Sequence, residues 1–419
     1  MIIDTVYHPK LIPHILPHHY DFKNVPVKGP HTFKLVAESS KYVQDNKVLL
    51  YIIGLDSTLL DDNLSNILPK EYLLSIQNRE LLLAIDLTIE AKYIDIDRIY
   101  QHLIIEQSIP ESQILLIGAT LNFKDYIIKT SQRLGKNPIK YEYYGHWARV
   151  QKITFSDSLH NLGYKDLNDF QSGLYSSHKK KFVFLNNNWK EHRIALLCLL
   201  NKEGILPDCY ISFSDKPVRE GLYERLIRTR QFIPQWLQEE QNNSIDKNWQ
   251  NWVDITCNKF NSLTDSILSG KRVTLPYVLD TATFDIHIPF YNQHKLSMVY
   301  KNSFVSIVTE TEYSSNNPVF LTEKIFKPIS FKHPFIICGQ PYSLKHLQLL
   351  GYKTFDGIIN ENYDNEVDDT TRMIKLLDEI KRINHFSPEE IELFKNACKP
   401  VVEYNFNKFM SDHFVRDIL

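Results

Sequence analysis

The chain has 419 residues, 43% of them hydrophobic and 23% charged, with a formal net charge of −2. That length exceeds one ordinary core and predicts two α/β domains. The near-neutral balance excludes a nucleic-acid binder held by bulk positive charge, since nonspecific phosphate binding needs a strong basic excess. Cysteines number 5 and never form a CxxC pair, which points to a reducing compartment and away from a zinc knuckle. The amino-terminal stretch MIIDTVYHPKLIPHILPHHY carries prolines and histidines where a signal peptide needs an unbroken apolar run. No segment approaches the roughly 20 apolar residues of a membrane span. A cytoplasmic protein is expected.

Residues 1–30 read as an irregular arm, and His14, His18 and His19 as surface histidines, because no cysteine or acidic cluster stands near them. From Phe33 onward strands and helices alternate. Val48–Ile53, Leu81–Ile85 and Ile114–Ile117 are short continuous apolar runs, and Phe123–Leu134 is helical. Such runs between helical patterns predict a parallel, Rossmann-like sheet. No GxGxxG follows any of them, so no dinucleotide cofactor is expected. Asp56, Asp86 and Glu90 fall at or just beyond strand ends, where a general base would sit; acids there also cap helices. The aromatic stretch YEYYGHWARV (141–150) is either a sugar platform or a domain edge.

A second sheet starts at Lys179–Lys181. The strand Phe182–Leu185 is followed by an Asn-rich loop with Asn187, then by Arg193 and the helix Ile194–Asn201. An arginine at such a junction is placed either to grip a phosphate at the helix start or to pair with Glu191 or Glu203 at the surface. Residues 215–275 form an insert with Arg219, Arg225, Arg228, Arg230, Trp236, Trp249 and Trp252. Interleaved acids make a solvated helical face its simplest reading.

The stretch from Lys295 to Gly351 organises the rest. Phe304–Val308 and Pro334–Cys338 read as strands, and Thr322 caps a helix that begins with Glu323 and Lys324. Strand, polar loop, helix, strand, Gly339 and a further helix near Ser343 make a βαβ unit. Thr309, Glu310, Thr322, Glu323 and Lys324 would then share the carboxyl edge of the sheet, where such folds bind ligands. Pro328 predicts a break in the helix, since a mid-helix proline costs ~3 kcal/mol. Further on come a helix over 368–383, a capping-box start at Ser387-Pro388-Glu389-Glu390, and a helical end from Pro400 to Leu419. Asp61-Asp62 and Asp368-Asp369 read as capping acids, and no DxD-type carboxylate motif sits at a strand end.

Two segments, KKKFVFLNNNWKEHRIALLCLL and SFVSIVTETEYSSNNPVFLTEKIFKPISFKHPFIICG, taken together over about residues 180–355, resemble the GT-B glycosyltransferases, most closely the α-1,3-fucosyltransferase type. They are also similar to glycosyltransferase-like proteins of phages and large viruses. The resemblance implies two Rossmann-like domains facing each other across a cleft. Residues 1–170 would form the acceptor side and 178–400 the nucleotide-sugar side, with 401–419 crossing back.

It further implies metal-independent transfer of a hexosyl or pentosyl group from a GDP- or UDP-linked sugar to a hydroxyl of a glycan or lipid-linked saccharide, with no other cofactor. A hydroxymethylated DNA base as acceptor, or a non-catalytic sugar-binding role, are the alternatives. By resemblance Arg193 and Lys324 would neutralise the diphosphate, Glu323 would hold ribose hydroxyls, and Glu310 would lie beside the donor sugar. Asn187, Thr309 and Thr322 complete the expected donor site. The first half carries no matching motif, so Asp86 and Asp56 stand as candidate bases on position alone. The loop between Glu310 and Glu323 is longer than the family's, which puts the placement of Glu310 in question.

Overall fold

The computed structural model describes residues 2–7, 47–52, 68, 70–87, 96–145, 147–148, 151–152, 155, 170, 172–186, 190–212, 293–315, 319–411 and 415–416. His14, His18, His19, Asp56, Asp61, Asp62, Glu90, Asn187 and the 215–275 insert lie outside the described residues. The chain is α/β and divides into two compact units. One comprises Met1–Arg149, Asn317–Phe320 and His413–Leu419; the other comprises Val150–Asn316 and Leu321–Asp412.

In the first unit β1 (Ile2–Tyr7), β2 (Val48–Ile52), β3 (Leu82–Leu87), β4 (Ile114–Gly118) and β5 (Lys140–Tyr144) lie side by side in chain order, all parallel. A last strand, β10 (Val415–Arg416), adds antiparallel to β5. The connections carry α1 (Lys70–Gln77), α2 (Ile96–Ile99, continuing as π-helix through Tyr100–Glu106) and α3 (Phe123–Leu134). Every residue of β4 is buried, as a strand covered on both faces must be. Alternate residues Leu83, Ile85 and Leu87 of β3 share a core with Ile114 and Leu116 of β4 and with Leu103, Phe123 and Ile127. Each such side chain contributes roughly 1.5–3 kcal/mol by leaving water.

β3 runs on to Leu87, paired with Gly118, so Asp86 is inside the strand opposite Ile52 and Ile117 and not beyond its end. Pairing with two neighbours, which no local pattern announces, carries the strand past the aspartate. The aromatic stretch proves to be edge packing where it is described. Tyr143 and Tyr144 are buried in β5, and the Tyr141 hydroxyl donates to the Thr120 carbonyl.

The second unit holds β6 (Phe182–Leu185), α4 (Glu191–Lys202), β7 (Cys209–Ser212), α5 (Gln293–Lys301), β8 (Val305–Thr309), α6 (Glu323–Ser330), β9 (Phe335–Cys338), α7 (Ser343–Leu349), α8 (Asp369–Asn384) and α9 (Pro388–Ser411). Its sheet is parallel with order β7-β6-β8-β9. The chain leaves β6 toward one edge and returns to β6's other side as β8, so the strand order reverses between them. That reversal opens the crevice where open α/β sheets take ligands.

An aromatic core centres on Phe331. It stacks on Tyr300 at 4.4 Å between centroids and meets Phe155 and Phe170 edge-on at 5.0 and 5.1 Å. Pro328 does not end α6, which continues to Ser330. In a helix this short the proline sits near the carboxyl end and forfeits a single backbone bond. The terminal helix stops at Ser411, short of the expected Leu419, and the chain re-enters a sheet at Val415.

Candidate functional site

Six of the expected residues converge at the carboxyl ends of β6 and β8. Thr309 closes β8, and Glu310 continues the pairing by donating its amide to the Cys338 carbonyl. Glu310 is 1% exposed. Both its carboxylate oxygens accept from the Thr322 amide, at 3.2 Å each, and one also accepts from the Thr322 hydroxyl. Burial pushes its carboxyl above the ordinary range, against the pull of Lys324. The Thr322 hydroxyl in turn accepts from the Lys324 amide at 3.3 Å and caps α6, as the sequence led one to expect. The long loop after β8 is thus folded back, and the Glu310 carboxylate is spent on holding the start of α6.

Arg193 lies in the first turn of α4, which begins three residues earlier than its apolar pattern suggests. It is 2% exposed and so does not lie at the surface. Its Nη2 donates to the Glu310 carbonyl at 3.0 Å and, at 3.5 Å, approaches that of Thr309. His192 places Nε2 3.0 Å from the same Glu310 carbonyl and stacks on Tyr313 with centroids 5.2 Å apart. Desolvation, with Arg193 beside it, holds that imidazole well below its usual range, so it is neutral.

The accessible cations are therefore on the next turn out. Lys324 Nζ donates to Glu323 Oε1 at 3.0 Å and to the hydroxyls of Thr311 and Thr322 at 3.2 Å. Lys327, one helical turn on, joins Lys324, Thr309, Leu185 and Ser306 in lining a small pocket of about 20 Å³, room for about one water. Desolvation pulls the Glu323 carboxyl upward, but Lys324, Lys327 and its hydrogen bonds outweigh it and hold it at about 2. Lys190 Nζ reaches Glu312 Oε1 at 3.0 Å on the same loop.

Sequence reasoning missed three parts of this arrangement. Lys327 carried a signal, its spacing of three from Lys324 on one helix face. Asn186, which accepts the Thr309 hydroxyl at its Oδ1, is adjacent to the asparagine that was singled out. Arg372 carried none: its guanidinium lies 4.2 Å from the Tyr313 ring and its Nε donates to the Gly339 carbonyl at 3.1 Å. Asp86 belongs to the first unit, and only its strand position is described. Among the described residues no three His, Cys, Asp or Glu side chains gather as a metal site, and no helix is long and apolar enough to cross a membrane.

No protein-family model matches the chain, and no curated protein matches it. Among solved structures it superposes on the α,α-trehalose-phosphate synthase (UDP-forming) of Burkholderia vietnamiensis, with TM-score 0.40, 10% identity, 90% of this chain and 74% of that one. It also superposes on the E. coli trehalose-6-phosphate protein bound with UDP-2-fluoro glucose (0.37, 11%, 90% and 75%). A third is the trehalose-6-phosphate phosphatase N-terminal domain of Candida albicans (0.39, 10%, 90% and 70%). Likenesses this loose assign neither a family nor a ligand nor an activity to the chain.

Proposed function

We propose that the chain is a glycosyltransferase that binds a nucleoside-diphosphate sugar at the carboxyl edge of β6 and β8. The observation that carries the reading is the Lys324–Lys327 pair lining one pocket beside the ionised Glu323, at the point where the strand order reverses. A leaving diphosphate gathers negative charge, and cationic side chains at the sheet edge stabilise it. A carboxylate ionised at every working pH accepts two ribose hydroxyls. The resemblance of the two sequence segments to the α-1,3-fucosyltransferase type supports the same assignment. Arg193 acts from behind, holding the carbonyl of Glu310, whose carboxylate bonds Thr322 at the start of α6.

The acceptor in this reading is a hydroxyl of a glycan or lipid-linked saccharide, and transfer proceeds without a metal. If the anomeric centre inverts, a carboxylate of the first unit, Asp86 or Asp56, takes the acceptor proton.

The test is a titration of UDP, GDP, CDP and their sugars, with and without chelator. One nucleoside diphosphate should bind and raise the melting temperature, chelator should change nothing, and Lys324→Ala should bind it about tenfold more weakly. Unchanged affinity in folded Lys324→Ala sinks the assignment. A second reading, a sugar-nucleotide-binding module without turnover, is favoured by the burial of Glu310 and its commitment to Thr322. Donor hydrolysis or sugar transfer would exclude it.

A further inference from the structure

Bonded to Thr309, a residue of the Lys324–Lys327 pocket, is a side chain with a hydrogen-bond donor that the described fold does not use. Asn186 follows β6 at the reversal point, is 1% exposed, and its Nδ2 has no partner among the described residues. An amide N–H buried without a partner costs roughly 1–3 kcal/mol, and native proteins keep few of them. The orientation of this one is held from the other side. The Thr309 hydroxyl donates to Asn186 Oδ1, and Thr309 is itself buried at the end of β8. Thr309 also lines the pocket that Lys324 and Lys327 share, so Asn186 is hydrogen-bonded to a residue of that lining.

We propose that Asn186 Nδ2 is a binding donor to a phosphoryl oxygen of the nucleoside-diphosphate group, with Thr309 as the residue that positions it. The inference rests on the donor-site reading above and adds to it a neutral, directional contact. The two lysines, both in the lining of one pocket, set the sign of the ligand: cationic side chains favour an anion. A phosphoryl oxygen accepts without needing to donate, so it satisfies Nδ2 and asks nothing of Oδ1, which Thr309 already occupies. A hydrogen bond to a charged acceptor in a buried place is also among the stronger kinds. Lysines supply attraction without direction, whereas an amide locked by a threonine selects where the oxygen sits.

The experiment compares UDP and GDP with uridine and guanosine by calorimetric titration of the full chain, its Asn186→Ala, Asn186→Asp and Thr309→Val variants, and Lys324→Ala. Asn186→Ala should weaken the bound nucleoside diphosphate about tenfold or more while leaving the free nucleoside unchanged. Asn186→Asp, which keeps the acceptor for Thr309 but turns a carboxylate on the phosphate, should weaken it further. Melting without ligand reports whether each variant folds. If an Asn186 variant does not fold, Thr309→Val leaves the amide present but unheld and should lower diphosphate affinity in the same selective way.

Unchanged diphosphate affinity in folded Asn186→Ala overturns the proposal, as does an equal loss for diphosphate and nucleoside. Loss in Lys324→Ala but none in Asn186→Ala overturns this inference alone. No binding of any nucleoside diphosphate by the wild type overturns the donor-site reading, and this inference with it.

Discussion

Arg372 is among the largest side chains that the fold hides completely, and its donors account for the shape of the loop behind the site. Nε donates to the Gly339 carbonyl, Nη1 to that of Glu366 at 2.9 Å, and Nη2 to the Tyr313 carbonyl and to Asp369 Oδ1. Replacing it by methionine preserves volume but takes this donor from these carbonyls and from Asp369, whose Oδ1 keeps the Ser315 amide. We expect Arg372→Met to cost about 3–5 kcal/mol in urea denaturation. Arg372→Lys should recover only part of this, because one ammonium cannot reproduce a five-donor fork. A loss under about 1 kcal/mol for methionine would contradict the reading of Arg372 as the anchor of the loop. Tyr313 also stacks on His192, so the same variant should weaken nucleotide binding without touching any ligand.

At the scale of elements, what could be read from the sequence follows how local each cause is. The start of α9 was legible because the whole device lies in four residues. The Glu390 amide donates to Ser387 Oγ at 3.2 Å, and Ser387 donates its own amide back to Glu390 Oε2 at 2.7 Å. The cap at Thr322 was legible for the same reason. Neither the direction of Arg193 nor the extent of β3 could be read, since both depend on which strand lies alongside. Arg193 turns inward because β8 neighbours β6 and presents carbonyls to it.

Gly173 is a further case that only packing explains. It donates its amide to the Tyr300 carbonyl at 2.7 Å, and a Cβ built on it would meet the Ser303 carbonyl oxygen at 2.1 Å. Backbone cannot yield as a side chain can. Gly173→Ala should therefore lower the thermal midpoint by an amount equivalent to about 2 kcal/mol or more, against well under 1 kcal/mol for an ordinary surface change. A midpoint equal to the wild type's would show that the 172–175 strip is free to move off α5.

Over the whole molecule, pH should act through carboxyls that folding keeps from ionising. Burial, partly offset by the hydrogen bonds that Glu361 accepts, pushes its carboxyl up to about 7, and burial lifts Asp364 to about 6. A group whose pKa is raised on folding contributes its stability fully below the unfolded value, and that contribution is lost as pH rises through the folded value. The contribution of Glu361 should thus decline from about pH 4.5 to about pH 7, while His192 and His333, whose imidazoles burial holds below their usual range, act in the opposite direction there. Glu361→Gln keeps an oxygen for the Phe355 amide and removes the charge, so it should flatten the decline and exceed the wild type by on the order of 2 kcal/mol near pH 8. Parallel slopes for the two proteins across that window would show that Glu361 ionises freely.

The division of the chain has one more consequence, for anyone wishing to cut it. It passes between the two units after Arg149, Asn316, Phe320 and Asp412, so neither unit is a single stretch of sequence. A fragment ending at Arg149 would lack the Val319 segment, which bonds to Leu121 and Asn122, and would lack β10, leaving the rim of β5 bare. A bare rim recruits other chains. Expressed alone, that fragment should run as aggregates on size exclusion, so the first half is no interchangeable cassette and swaps between relatives must carry all of its pieces.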